Sequence, residues 1–146
     1  MKFKYDVYCA GSMHGRLGQD VINERSQVAA LCKTYGLSYY DPASDEDIKG
    51  NRIIDKTPSR KRMHHYVTKD DLNLDKCRTL LVLTGDKSSA GTGWEMGRMF
   101  YRNHRPIVVV APRMFDGSLT NFTTIKATKI VATQKQAVSW IRRKLK

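Results

Sequence analysis

The sequence predicts one α/β domain with a mainly parallel sheet covered by helices. Residues 79–84 and 106–111 are predominantly apolar, which is typical of strands buried on both faces of a parallel sheet. Segments with helical spacing alternate with strand-like segments along the chain, as in parallel α/β proteins. The length of 146 residues suits one domain of this kind, so we expect a single domain over residues 1–146.

The first half of the chain begins with a strand and a long helix. The apolar residues 5–10 predict the first strand, and near-helical recurrence of apolar residues predicts a helix over 17–35 that Gly36 ends. Residues 37–40 predict a short second strand. Residues 43–65 are polar, basic and without a clear period, which predicts a long variable loop.

The second half repeats the alternation of strand and helix. A short helix is expected over residues 66–76 and leads to the central buried strand at 79–84. The Gly- and Ser-rich residues 85–93 predict a loop. The remaining predicted elements are a helix over 94–101, a buried strand over 106–111, a strand over 129–132 and a helix over 134–145.

Composition indicates an anionic ligand without naming it. The formal net charge is +12, and basic residues concentrate in residues 49–69 and 142–146. Neither stretch interleaves with aromatic residues as a single-strand nucleic-acid surface does. A small phosphorylated ligand therefore fits the charge, and nucleic acid stays open as a partner.

Cysteine and histidine usage indicates a reducing compartment. Cys9, Cys32 and Cys77 are odd in number and form no Cys-x-x-Cys pair, which favours free buried thiols. Four scattered histidines show no ligand spacing, so we expect neither a metal nor a cofactor. The chain starts without a signal-like apolar stretch and has no run near 20 apolar residues, so a cytoplasmic location without membrane contact is expected.

The most informative segment is S-S-A-G-T-G-W-E-M-G at residues 88–97. Gly91 and Gly93 allow backbone amides to approach a ligand, and the helix start expected at residue 94 favours an anion. Glu95 is expected in the first helical turn, where the dipole would keep it ionised and suit it to act as a nucleophile. Helix capping explains a glutamate there equally well, and the glycines match neither a P-loop nor a dinucleotide fingerprint.

Two further segments add candidate groups. G-S-M-H-G-R at residues 11–16 follows the first strand, and its hydroxyl, amides and guanidinium suit a phosphate, although a solvated loop with Ser12 as helix cap is an alternative. K-D-D-L at residues 69–72 precedes the central strand. Two carboxylates in one pocket, one ionised and one protonated, are typical of glycosidic-bond cleavage.

Together the three segments resemble the nucleoside 2-deoxyribosyltransferase superfamily, and most closely its branch of 2'-deoxynucleoside 5'-monophosphate N-hydrolases and cytidylate N-hydrolases. The family pattern Tyr-x-x-Gly-Ser with a Gly/Arg loop matches residues 8–16. The pattern Ser-x-Gly-x-Gly-Tyr-Glu-x-Gly-Arg matches residues 89–98, with Trp94 in place of tyrosine. The family's Asp-Leu pair matches Asp71-Leu72, 24 residues before Glu95 (95 − 71). The resemblance runs from residue 8 to about residue 112.

The resemblance implies a Rossmann-like, flavodoxin-like sandwich with a mainly parallel five-stranded sheet flanked by helices. It also implies that Glu95 attacks C1' of the sugar, that Tyr8 holds Glu95 through its hydroxyl, and that Asp71 protonates or positions the base. The substrate and phosphate contacts that it implies are Gly11, Ser12, His14, Gly15, Arg16, Ser89, Gly91 and Gly93.

Position 89 bears on the substrate. Family members that act on free nucleosides carry an aspartate there, which would repel a phosphate, whereas the monophosphate hydrolases carry a serine, as this chain does. The resemblance therefore implies an N-glycosidase that converts a (deoxy)nucleoside 5'-monophosphate to free base and sugar phosphate. The basic residues 43–65 have no family counterpart.

Several alternatives stay open at this point. Base exchange by a nucleoside 2-deoxyribosyltransferase uses the same intermediate, and NAD cleavage as in TIR-like domains uses a glutamate on a related fold. A non-catalytic nucleotide sensor and a nucleic-acid-binding module are further alternatives. The family forms homodimers whose C-terminal part completes the partner's site, and Thr120 and Asn121 are the candidates for that role here.

Overall fold

The computed structural model describes residues 2–54, 59–84, 90–112 and 126–146. Its five strands form one parallel sheet in the order β2-β1-β3-β4-β5. The strands are β1 (Tyr5–Gly11), β2 (Tyr39–Tyr40), β3 (Cys77–Leu83), β4 (Ile107–Val110) and β5 (Lys129–Val131). The predicted Rossmann-like α/β fold with a five-stranded parallel sheet is thereby confirmed.

Helices cover both faces of this sheet. They are α1 (Gly18–Thr34), α2 (Arg60–Leu74), α3 (Ala90–Gly97), which continues as the π-helical Arg98–Asn103, and α4 (Gln134–Leu145); a short 3-10 helix spans Pro42–Asp45. In the part of the chain that the structure describes, no helix has both the length and the apolarity that a membrane crossing requires.

The core divides into two layers because side chains of β1 alternate between the sheet faces. Val7 and Cys9 face the layer that contains Val28 of α1 and Ile141 of α4. Tyr8 and Ala10 face the other layer, together with Met96 and Met99 of α3 and the segment after it. The alternation therefore directs Tyr8 toward the helix that carries Glu95.

Two helices begin earlier than the sequence predicts. Helix α2 begins at Arg60 rather than 66, after Ser59, whose side chain accepts a hydrogen bond from the Arg62 amide at 3.3 Å. Its first residues are exposed and charged, so they show no apolar period that would reveal a helix. Helix α3 begins at Ala90 rather than 94, and residues 85–89 of the predicted loop lie outside the described residues.

Part of the basic segment expected as a variable loop is docked onto the start of α1. The Gly15 amide donates to the Ile54 carbonyl at 2.9 Å, and the Gly18 amide donates to the Arg52 carbonyl at 2.8 Å. A side chain at Gly18 would lie 2.1 Å from the Lys49 carbonyl oxygen, so only glycine allows this approach. The basic segment is thus held next to the loop that follows β1.

The three cysteines are free thiols, as predicted. Cys9, Cys32 and Cys77 are all buried and unpaired. Burial raises the pKa of the Cys9 thiol to about 11 and that of Cys32 and Cys77 to about 12. Thiols that stay protonated at neutral pH are poor nucleophiles, so these residues belong to the core.

Candidate active site

A cavity of about 240 Å³ opens beyond the carboxyl end of β1. Ligands of open α/β sheets bind at this end of the strands. Strand β1 contributes Cys9, Ala10 and Gly11, and the following loop contributes Met13 and His14. Helix α2 contributes Met63, Tyr66, Val67 and Asp70, and α3 contributes Gly91, Thr92 and Glu95. The cavity therefore collects groups from all three segments that the sequence analysis singled out.

Glu95 is held by Tyr8 at the base of this cavity. The Tyr8 hydroxyl donates a hydrogen bond of 2.7 Å to Oε1 of Glu95. Tyr8 is fully buried, and burial together with the negative charge of Glu95 raises the pKa of its phenol far above the usual value. The phenol therefore stays protonated and acts as a permanent donor to the carboxylate.

The protonation of Glu95 differs from the sequence-based expectation. Glu95 is the sixth residue of α3 and not part of its first turn, so the expected stabilisation of its charge by the helix start was wrong. The pKa of Glu95 is instead raised to about 7, mainly by burial and further by the charge of Asp70. The hydrogen bond from Tyr8 and the charge of Arg25 oppose this rise.

Asp70 is a second carboxyl group in the same cavity. Burial, followed by the charges of Glu46 and Asp45, raises its pKa to about 7. Its side chain makes no hydrogen bond or ion pair within the described residues. The charge of Asp70 also raises the pKa of Glu95, so ionisation of Asp70 favours the protonated form of Glu95.

Asp71, the aspartate matched by the family spacing, faces a different way. The Trp94 indole donates to Oδ1 of Asp71 at 3.0 Å, and Arg98 lies 3.5 Å from Oδ2. Asp71 therefore ties α2 to α3 and is not part of the cavity lining. Sequence reasoning included Asp70 in the K-D-D-L segment but assigned the role to Asp71, although Met63, Tyr66, Val67 and Asp70 have the i, i+3, i+4, i+7 spacing of one helix face.

Arg25 is a site residue that the sequence analysis did not single out. Its side chain is 4% exposed, and its two Nη atoms donate to the carbonyls of Cys9 at 2.8 Å and Gly11 at 3.0 Å. Nη1 also lies 3.6 Å from Oδ1 of Asp41. Arg25 thus fixes the carboxyl end of β1 and places a buried positive charge in the cavity wall. No local sequence signal reveals this contact, because it joins α1 to a strand 14 to 16 residues earlier.

Only part of the predicted phosphate-binding loop at residues 11–16 lines the cavity. Gly11 and His14 line the cavity. Arg16 instead forms a bidentate salt bridge with Glu24, at 3.0 and 3.2 Å, and donates a hydrogen bond to the Ser12 carbonyl. Gly15 adopts a φ of +79°, which favours glycine. Gly91 lines the cavity and Gly93 does not. Ser89, Thr120 and Asn121 lie outside the described residues.

A basic cleft of about 260 Å³ adjoins the cavity. The two share His14, Glu46 and Tyr66. Its charged side chains are the cations Lys49, Arg52 and Arg62 and the carboxylates Glu46 and Asp47, of which Asp47 pairs with Lys49 at 3.2 Å. Arg52 and Arg62 therefore place positive charge near the mouth of the cavity, whose interior is lined by three carboxyl groups.

Comparison with solved structures supports the fold assignment. The chain is similar to a 2-deoxyribosyltransferase from the psychrotolerant bacterium Bacillus psychrosaccharolyticus, with a TM-score of 0.68 over 90% of this chain and 88% of that chain. The two sequences are 15% identical, so the likeness shows a shared fold. A scan of protein-family models gives no match. A search of curated proteins also finds no similar sequence.

Proposed function

We propose that this chain cleaves the N-glycosidic bond of a (deoxy)nucleoside 5'-monophosphate and releases free base and sugar phosphate. The observation that carries the proposal is the pair of carboxyl groups in one cavity, Glu95 held by Tyr8 and Asp70 without a partner among the described residues. Such a pair supplies both a nucleophile and an acid for glycosidic cleavage.

The first step needs Glu95 ionised and Asp70 protonated. Glu95 attacks C1' of the sugar as the bond from C1' to the base nitrogen breaks, and the bonding electrons pass to the base. Asp70 transfers its proton to the departing base. The products of this step are a glycosyl ester on Glu95, the free base and an ionised Asp70.

The second step regenerates both groups. Asp70, now a carboxylate, removes a proton from water as the water oxygen attacks C1' of the ester. The bond to the Glu95 oxygen breaks, which returns Glu95 to its ionised form and Asp70 to its protonated form. Arg25 and Tyr8 stabilise the returning negative charge on Glu95.

Recognition of the 5'-phosphate is part of the proposal. The family resemblance makes Ser12, Ser89 and the Gly91 amide the proposed cradle. Of the described members Gly91 lines the cavity and Ser12 does not, and His14 lines both the cavity and the cleft. Arg16 acts indirectly, because its guanidinium is occupied by Glu24 and the Ser12 carbonyl. A serine at position 89 in place of an aspartate supports a phosphate over a free 5'-hydroxyl.

Base exchange is the second candidate function, and the named activity of the structural neighbour favours it. In that reaction a second base instead of water attacks C1' of the glycosyl ester. Mass spectrometry of products from nucleosides and 5'-monophosphates, with and without a free acceptor base, separates the two. Hydrolysis predicts base release without an acceptor. Release from no substrate, together with recovery of intact bound nucleotide, would contradict both and favour a sensor.

We also propose that the chain forms a homodimer. Helix α2, helix α3 and the segment after α3 expose large apolar side chains: Leu72 at 56%, Trp94 at 58% and Tyr101 at 66%. Burial of such side chains against a second copy of the chain removes apolar surface from water, which favours association. Light scattering during size-exclusion chromatography tests this, with a dimer expected for the wild type and a monomer for Trp94→Glu.

A further inference from the structure

Carboxyl groups are prominent among the polar side chains of the cavity, beside His14, Tyr66 and Thr92. Apart from Glu95, two carboxyl groups line it, Glu46 beside the 3-10 helix and Asp70 on α2. Within the described lining there is no asparagine or glutamine. Arg25, the buried cation, directs both Nη atoms at backbone carbonyls. Beside Glu46, the cavity therefore favours a ligand group that donates a hydrogen bond.

Glu46 is the acceptor that the proposed mechanism does not use. Its side chain is partly buried and makes no hydrogen bond or ion pair within the described residues. His14 and Arg62 lie near enough for their charges to favour its ionised form, against the effect of burial, which raises its pKa. Glu46 thus offers a carboxylate to a ligand at the junction of the cavity and the basic cleft.

The walls beside these acceptors suit the flat face of a base. Met13, Pro42, Met63 and Val67 supply apolar surface to the same cavity. Methionine and aliphatic side chains pack against aromatic rings at little polar cost. Apolar walls combined with an acceptor edge are the arrangement that holds a planar ring bearing amino groups.

We propose that Glu46 selects bases with an exocyclic amino group, such as cytosine and adenine, over uracil and thymine. The inference rests on the proposed function and names its substrate class. The amino groups of cytosine and adenine donate hydrogen bonds, and glutamate accepts from the cytosine amino group in known base recognition. Uracil and thymine present a carbonyl oxygen at that position, which a partly buried carboxylate repels and which cannot donate to Glu46.

Pairs of substrates that differ at the exocyclic amino group of the base test this selectivity. Cytidine and uridine 5'-monophosphates differ at the exocyclic amino group of the base, as do adenosine and inosine 5'-monophosphates. The wild type is expected to show a kcat/KM at least about ten-fold higher for the amino member of each pair, the range of one good side-chain contact to a base. In Glu46→Gln, whose amide can also donate, both ratios are expected to fall to within about three-fold of unity.

Controls separate this inference from the proposed function. Asp20→Asn removes an exposed carboxylate of α1 away from the cavity and is expected to leave both ratios unchanged. Glu95→Gln allows the same pairs to be compared by calorimetric binding without turnover, with the same preference expected. Equal rates or affinities within the wild-type pairs, or a preference unchanged in Glu46→Gln, overturn the inference while base release still supports the N-glycosidase. Binding of neither member of a pair overturns it as well.

Discussion

The Tyr8 hydroxyl donates a hydrogen bond of 2.7 Å to Oε1 of Glu95. This bond connects a fully buried side chain of β1 with the middle of α3. Because the partner is a rigid phenol on a central strand, it fixes the position of the carboxylate, and Oε2 makes no hydrogen bond among the described residues. The two residues therefore define the geometry on which the proposed nucleophile depends.

Removal of this hydrogen bond should impair the reaction more than substrate binding. In Tyr8→Phe, kcat is expected to fall about ten- to hundred-fold, since a hydrogen bond to a charged group contributes about 1.5–3 kcal/mol. The acidic limb of the pH profile should also move to higher pH, because Tyr8 lowers the pKa of Glu95. Tyr40→Phe is the matched control, since its hydroxyl donates to Asp45. Equal losses of kcat in both variants would contradict the assignment.

Activity should depend on pH as a narrow bell centred near pH 7. The attack requires ionised Glu95 and protonated Asp70, and each group has a pKa of about 7. Acid removes the nucleophile and alkali removes the proton donor, so the rate falls in both directions. The profile belongs to the pair rather than to either residue. A rate that rises steadily to pH 9 would show that no protonated Asp70 is needed.

The neighbouring aspartates should behave differently when neutralised. Asp70→Asn is expected to lower kcat by about a hundred-fold or more, the usual contribution of a general acid. Asp71→Asn should affect kcat less and stability more, because its carboxylate holds Trp94 and Arg98. Steady-state kinetics and thermal melting of both variants test this. The greater loss of kcat in Asp71→Asn would return the proton-donor role to that residue.

The buried carboxyl of Glu95 should reduce stability at alkaline pH. Its pKa is about 7 in the folded protein, above the reference value of 4.5, so the folded state holds the proton more tightly. The resulting stabilisation is complete below about pH 4.5 and is lost as pH rises through 7. Glu95→Gln should therefore unfold with a free energy roughly 1–2 kcal/mol higher than wild type at pH 8 and near wild type at pH 4.5. Urea denaturation at both pH values measures this, and a variant less stable at pH 8 would contradict it.

The sequence predicted most of the sheet but not the full cavity. Strands β3 and β4 were predictable because a continuous apolar run is typical of a strand that is buried on both faces of a parallel sheet. The start of α2 was not predictable, because its exposed, charged first residues have no apolar periodicity. Without that start, the sequence does not show that Asp70 lies on the helix face that lines the cavity. Arg25 was missed for another reason, since its partners at the end of β1 are close only after folding.

Glu95 lies in the cavity, but its charge is governed by a different cause from the one that the sequence predicts. The motif predicts a loop at the glycines 91 and 93, which would place the carboxylate in the first turn of a helix. Helix α3 includes both glycines. Burial beside Tyr8 therefore governs the charge of Glu95, and the helix start does not.

Detection of a covalent sugar on Glu95 tests the central proposal most directly. Protein mixed with a nucleoside 5'-monophosphate is quenched in acid within the first turnovers, and its intact mass and peptides are analysed by mass spectrometry. The proposal predicts a mass increase equal to one sugar phosphate on the peptide that contains Glu95, and neither adduct nor base release in Glu95→Gln. Base release by Glu95→Gln at the wild-type rate, or an adduct on another residue, would contradict it.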